Sequence, residues 1–196
     1  MSMEHKAYLF DMIKYHTEIE KILDECCCEQ NTSMAETYIN EHWKELCSPY
    51  TYERLDEKWK SILVNHSLQE YCDILLTACY ECEDDIGLGY NWDGVNESLK
   101  QLNFMDNIEE CVLGKRIIFH DTIIDPGAMG LGIVDIEEVN RIAEMLQQNR
   151  GKLEQMELPQ NLLYPMEREE IEDAYDELID IYNSAVKKGK GIMFTF

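Results

Sequence analysis

Asp135-Ile136-Glu137-Glu138-Val139-Asn140-Arg141-Ile142-Ala143-Glu144-Met145-Leu146 decides how the rest of the chain is read. Asp135 can cap a helix, and Glu138, three residues on, can return the hydrogen bond, which is the capping-box spacing. Ile136, Val139, Ile142, Met145 and Leu146 then recur at intervals of three and four, so one face is apolar and needs a cover. A longer helix of the same kind is predicted over residues 167–187. It turns Ile171, Ala174, Tyr175, Leu178, Ile181, Tyr182 and Ala185 inward, and Gly189 stops it. The material to cover these faces is in short β-prone runs at residues 116–119, 122–124 and 192–196, with Asp125, Pro126 and Gly127 turning the chain after the second. Long amphipathic helices with a few short strands give an α+β domain, mainly helical with a small sheet.

Upstream the pattern is helical. Met12, Ile13, His16, Ile19, Ile22, Leu23 and Cys26 predict a helix from Leu9 to about Cys27, and Ser33 opens a second with Met34, Tyr38, Ile39, Trp43 and Leu46. A third is predicted from Tyr52, with Leu55, Trp59, Ile62 and Leu63 on one face. Ser67 and Glu70 form another capping box, opening a helix with Leu68, Tyr71, Cys72, Leu75, Leu76 and Cys79 inward. Residues 81–94 are polar, contain Gly87, Gly89 and Gly94, and read as a loop leading to a short helix near Val95. The chain therefore reads as a single domain over 1–196, in which residues 1–50 form a helical N-terminal extension.

Composition excludes several partners. Against 17 Lys and Arg stand 40 Asp and Glu, a formal charge of −23. Nucleic acids are bound chiefly by neutralising phosphates, so no nucleic-acid partner is expected. The basic cluster Lys187, Lys188 and Lys190 follows a helix, where cations complement the C-terminal dipole. A cationic protein is the partner such a surface favours. No run approaches the ~20 apolar residues of a membrane span and residues 1–8 hold no signal-peptide apolar core, so a cytoplasmic location is expected, with the eight cysteines as reduced thiols.

Leu113-Gly114, Gly132-Ile133-Val134-Asp135 with Glu138-Val139 and Ile142-Ala143, Tyr164-Pro165, and Tyr175-Asp176-Glu177-Leu178 with Tyr182, Ala185 and Gly189 resemble, in order and spacing, the YfbM-like family of small bacterial proteins. Leu55-Asp56 followed by Trp59 is similar to a weaker motif of that family, extending the resemblance to residues 55–196. Gly130-Leu131-Gly132 stands where the family carries a glycine, tyrosine, glycine and proline run. The resemblance implies an α+β domain and brings no catalytic residues.

Cys79 and Cys82 have the C-x-x-C spacing of zinc or redox sites, but no second pair or neighbouring histidine completes a tetrahedral set, so core or surface thiols are expected and no metal or cofactor. The histidines at 5, 16, 42, 66 and 120 show no i, i+4 pairing. His120-Asp121 is the one imidazole and acid pair at a strand end, and strand neighbours point to opposite faces. Asn91-Trp92-Asp93-Gly94 is similar to the helix start of barstar-type ribonuclease inhibitors and is equally the chemistry of an Asx turn. Trp92, Asp93, His120 and Asp121 are thus the candidate loop site. Glu83-Asp84-Asp85 fails the register of a calcium loop, and the glycines at 127, 130 and 132 lack a phosphate-binding fingerprint.

The sharpest feature is on the last helix, where Glu169, Asp173, Asp176 and Asp180 fall at i, i+4, i+7 and i+11. Such a stripe is the pattern of a solvated face and equally of a docking surface for a basic protein. The leading expectation is a non-enzymatic acidic binding protein, of the immunity or antitoxin kind that covers a cationic bacterial toxin. The alternative is a small enzyme or metabolite-binding protein with a pocket between residues 81–94 and 125–132.

Overall fold

Lys6-Ala7-Tyr8-Leu9-Phe10 is extended, not helical, and it begins the sheet. The computed structural model describes residues 3–124 and 130–196. Its strands are β1 (Lys6–Phe10), β2 (Lys115–Phe119), β3 (Thr122–Ile124), β4 (Gly132–Val134) and β5 (Gly191–Thr195). They form one sheet of order β1-β5-β4-β2-β3 with every neighbouring pair antiparallel. The turn residues Asp125, Pro126 and Gly127 lie outside the described residues.

Because side chains alternate along a strand, β1, β4 and β5 contribute to two cores, while β2 and β3 bury one face only. Ala7, Val134, Ile192 and Phe194 face one layer of helices, α5 (Trp92–Leu102), α7 (Ile136–Asn149) and α8 (Arg168–Lys188), which supply Val95, Leu99, Val139, Ile142, Leu146, Tyr175, Leu178 and Tyr182. Tyr8, Phe10, Ile117, Ile124 and Met193 face the other layer, α2 (Glu20–Glu29), α3 (Ser33–His42) and α4 (Leu68–Leu76), with Leu23, Ile39, Tyr71, Ile74 and Leu75. The result is an α+β domain in which a small sheet lies between two helical layers. A four-residue α6 (Glu110–Leu113) leads into β2.

Several local expectations are corrected. The helix predicted from Leu9 starts later, because Leu9 and Phe10 pair with Ile192 and Gly191, and the Asp11 side chain accepts from the Lys14 N–H at 2.9 Å. From there α1 (Met12–Lys14) passes through a π-helical turn at Tyr15–Ile19 into α2. The helix predicted from Tyr52 is reduced to one 3₁₀ turn at Trp59–Ile62. Cys47 and Arg54 pair as a bridge, Leu55 N–H donates to the Leu46 carbonyl at 3.0 Å, and Tyr52 has a left-handed φ of 61°, so the chain doubles back instead of coiling. Asp135 does precede α7, yet its side chain makes no cap.

The box at Ser67 forms as expected: Ser67 and Glu70 exchange hydrogen bonds at the start of α4. Glu70 also accepts from the N–H groups of Val64 at 2.6 Å and Asn65 at 3.1 Å, closing the loop in front of the helix. Partial burial works to raise the Glu70 pKa, but the N–H groups of Ser67, Val64 and Asn65 outweigh it and hold the carboxyl down at about 2. Glu70→Ala is expected to cost about 2 kcal/mol in urea denaturation, since it removes charge-assisted acceptors from a turn and a helix start together.

Candidate functional site

β1 and β5 carry Lys6, Tyr8, Met193 and Thr195 on one face, because Lys6 lies opposite Thr195 and Tyr8 opposite Met193. At that end of the sheet the chain 49–52, α4 and Tyr80 close around a cavity of about 90 Å³. Tyr8 and Tyr80 pack as a tilted pair with ring centroids 4.6 Å apart and 39° between their planes. Asp73 from α4 is 1% exposed and accepts from Tyr50 Oη at 2.5 Å and from Gln69 Nε2 at 2.6 Å. At the rim, Lys6 Nζ stands 4.7 Å from the centroid of the Tyr52 ring and 3.4 Å from Asp85.

Tyr8 Oη is buried, makes no hydrogen bond of ordinary geometry, and has the Tyr52 hydroxyl as its polar neighbour. The two buried tyrosines of α8 behave differently: Tyr175 Oη donates to the Leu146 carbonyl at 3.0 Å and Tyr182 Oη to that of Cys111 at 2.9 Å. Burial raises the pKa of Tyr8, and the negative charges of Asp85 and Glu4 raise it further. Burial likewise raises that of Tyr80, with Asp73 adding to it. The phenols are neutral and the local potential is negative.

Two open grooves flank this cavity. One of about 540 Å³ is lined by Glu81, Glu83, Asp84 and Asp85 with Lys188 and Lys190 across from them. The segment that follows lies along β1, where Ile86 N–H donates to the Ala7 carbonyl at 2.9 Å and residues 5 and 89 pair as a bridge. The loop 81–94 therefore covers an edge strand. The other groove, about 430 Å³, runs between the π-helical turn, β2 and α7. There His16 reaches Glu20 at 2.8 Å and Asp135 at 3.2 Å through its two ring nitrogens. Glu20, and after a small opposing effect of burial Asp135, raise its pKa.

The four residues of the predicted loop site are not brought together. Trp92 and Asp93 begin α5, where Trp92 Nε1 donates to the Met3 carbonyl at 3.0 Å and Asp93 accepts from the Leu163 N–H at 2.6 Å. Both are buried and hold chain segments in place. His120 and Asp121 form the turn between β2 and β3, with His120 left-handed at a φ of 52° and 3.2 Å from Asp24. Cys82 does not act with Cys79. It forms a disulfide with Cys47, so the expectation of thiols throughout is corrected there, while burial pushes the Cys79 thiol up to about 12. Among the described residues no group of three or more His, Cys, Asp and Glu is arranged to hold a metal ion.

The acidic stripe lies where its spacing puts it. Glu169, Asp173, Asp176 and Asp180 are all exposed on α8. Arg150 from the end of α7 holds Asp176 with two hydrogen bonds, at 2.6 and 2.9 Å, and reaches Glu172 at 3.6 Å. Glu169, Asp173 and Asp180 have no ion-pair or hydrogen-bond partner among the described residues. Elsewhere Lys6, Lys14, Lys21, Arg54, Lys60, Lys100, Arg141 and Lys190 each pair with a carboxylate.

The architecture is that of an α+β domain with a small tyrosine-lined cavity and extended acidic surfaces. A family model described as a domain of unknown function, DUF1877, matches residues 10–195, and the chain belongs to that family. The match runs from the last residue of β1 to the last of β5, so it takes in the N-terminal helices as well as the region after Leu55. No curated protein and no solved structure matches the chain. Among the described residues no helix is long and apolar enough to cross a membrane.

Proposed function

We propose that this chain is a non-enzymatic binding protein of the immunity or antitoxin kind, which covers a cationic bacterial toxin with its acidic surface. On the resemblance carried by residues 113–189 we take it to be YfbM-like and to work in the bacterial cytoplasm. The observation that carries the reading is the stripe on α8: three exposed carboxylates without side-chain partners among the described residues, in a chain with 40 Asp and Glu against 17 Lys and Arg. Like charges held on one helix face repel one another, and a basic partner relieves that repulsion. The same field raises the encounter rate and makes it sensitive to salt.

The test begins with a tagged pull-down from host lysate at low salt, eluted in salt steps, and moves to association kinetics with the basic protein recovered. The variant carrying Glu169→Gln, Asp173→Asn, Asp176→Asn and Asp180→Asn is expected to associate several times more slowly, with a shallower salt dependence and an unchanged dissociation rate. Equal rates for the two proteins would remove α8 from the interface. The alternative reading, a metabolite-binding protein or small enzyme, draws support from the cavity beside Tyr8, which lies between β1, β5 and α4. Of the two segments expected to frame it, 125–132 contributes Leu131 to the cavity wall, with 125–129 outside the described residues, and within 81–94 residues 86–89 run along β1.

A further inference from the structure

We propose that the groove along β2 binds a small carboxylic acid with an apolar body, its carboxylate on Arg116 and Lys115 and its hydrocarbon on Ile118 and Ile123. This stands apart from the docking reading of α8 and needs no protein partner. The groove holds about 430 Å³, inside the ~300–1,000 Å³ range of small-molecule sites. Arg116 and Ile118 both line it and, being two residues apart in β2, point to one face of the sheet; Ile123 of β3 lies directly across from Ile118. Ile117 and Ile124 turn the other way and are buried, whereas Ile118 is 55% and Ile123 45% exposed. A guanidinium followed by an uncovered apolar step is a head and a tail laid out along one strand. At about 3.3 Å of rise per residue the two are roughly 7 Å apart, the reach of about six carbons.

The sign of the ligand follows from what each charge in the groove already faces. Glu20 and Asp135 lie against His16. Glu138 accepts from Arg141 Nε at 3.2 Å, and Glu110 lies in the field of the same guanidinium. The four carboxylates that line the groove thus have cations beside them. Arg116 and Lys115 are exposed, and their side chains make no ion pair or hydrogen bond with any described residue. At physiological ionic strength charges more than about 8 Å away are largely screened, so these two near cations outweigh the distant surface of a −23 chain. A guanidinium grips a carboxylate through two parallel N–H groups, a fit that a halide does not offer. An inorganic anion would fill the head and leave both isoleucines bare, which is why the ligand carries an apolar body.

The experiment is a titration by calorimetry and ligand-observed NMR at pH 7.5 and physiological ionic strength, with hexanoate, hexan-1-ol, hexylammonium and acetate as probes. Hexanoate is expected to bind saturably with a Kd of about 1 mM, and the other three at least about tenfold more weakly, since each lacks the head or the tail. Arg116→Gln is expected to weaken hexanoate about tenfold, and Arg116→Lys to recover only part of that loss, because it keeps the charge without the fork. Ile118→Thr is expected to weaken hexanoate about threefold and leave acetate unchanged, since it trims apolar surface while keeping a strand-forming residue. These side chains are exposed, so the melting temperatures of the free variants are expected to match that of the natural chain. No saturable binding of hexanoate, equal binding of hexan-1-ol, preference for hexylammonium, or an Arg116→Gln variant that binds as before each overturns the proposal. Tighter binding of N-acetyl-leucylleucine than of hexanoate would give the site to protein C-termini, and a dimer in sedimentation that Ile118→Thr dissociates would give the face to a second copy; either result also overturns it. The α8 variant is expected to bind hexanoate as the natural chain does, so the two readings fail separately.

Discussion

Between pH 6.5 and about 4 the folded chain is expected to lose about 3 kcal/mol of stability through His5 alone. His5 is fully buried, its Nε2 lies 2.7 Å from the Val112 carbonyl, and its Nδ1 accepts from the Leu88 N–H at 3.1 Å. An imidazole that accepts at Nδ1 and donates at Nε2 is neutral. Burial lowers its pKa to about 4, despite the opposing effects of the Val112 carbonyl and Asp85. The unfolded chain takes up the proton near pH 6.5 and the folded chain refuses it until about 4, so the stabilisation is complete above 6.5 and declines as pH falls through that window. Glu70 has the same sign in a lower window, from its unfolded value near 4.5 down to about 2. His16 has the opposite sign, since its raised pKa contributes stability below 6.5 that is lost as pH rises, and it leaves the His5 window untouched. Urea denaturation midpoints across pH 7 to 4 measure the slope. His5→Gln should flatten it, and a flat natural profile would contradict a neutral buried His5.

Phe194→Ala is expected to cost about 3–5 kcal/mol, a large share of the 5–15 kcal/mol that holds a typical domain together. Phe194 has no exposed surface and lies in β5 between Ala7 of β1 and Gly132 of β4. Its ring is 5.1 Å from His5 and 6.4 Å from Tyr182. The two cross-strand neighbours are the smallest residues available, so neither can swing into the space the ring leaves. Gly132 cannot be enlarged to fill it either, because a Cβ there would come within 2.1 Å of the Leu113 carbonyl oxygen. The cavity therefore stays open and the cost approaches the upper end of the range. Phe194→Leu should cost roughly half as much. Calorimetric melting of both variants checks the order, and a loss below about 1 kcal/mol for Phe194→Ala would mean that the ring is not packed in the core between β1 and β4.

What was legible in the sequence is what local chemistry decides. Helix periodicity located α4, α7 and α8, and Gly189 ends α8 in the left-handed conformation with a φ of 61°. Where long-range pairing competes with local spacing, the reading failed. Leu9 belongs by spacing to the helix that follows, but the hydrogen bonds of β5, more than 180 residues on, hold it in a strand. Asp135 has the right neighbours for a capping box, but its carboxylate turns to His16 across the groove. The acidic stripe was legible because one helix contains it whole. The Tyr8 cavity was not, because it is assembled from β1, the chain 49–52, α4, Tyr80 and β5. A hint was present in Lys6 and Tyr8, two residues apart, which share a face once the segment is read as a strand.

The position of β5 inside the sheet, between β1 and β4, also dictates an order of events during synthesis. A ribosome that has made residues 1–190 has delivered β1, β2, β3 and β4, yet β1 has no strand to pair with and β4 lacks one of its two neighbours. Both helical layers are present by then, one without Ile192 and Phe194 and the other without Met193. The five residues of β5 close both faces at once, so the nascent chain must keep its apolar surfaces from associating until β5 has been translated.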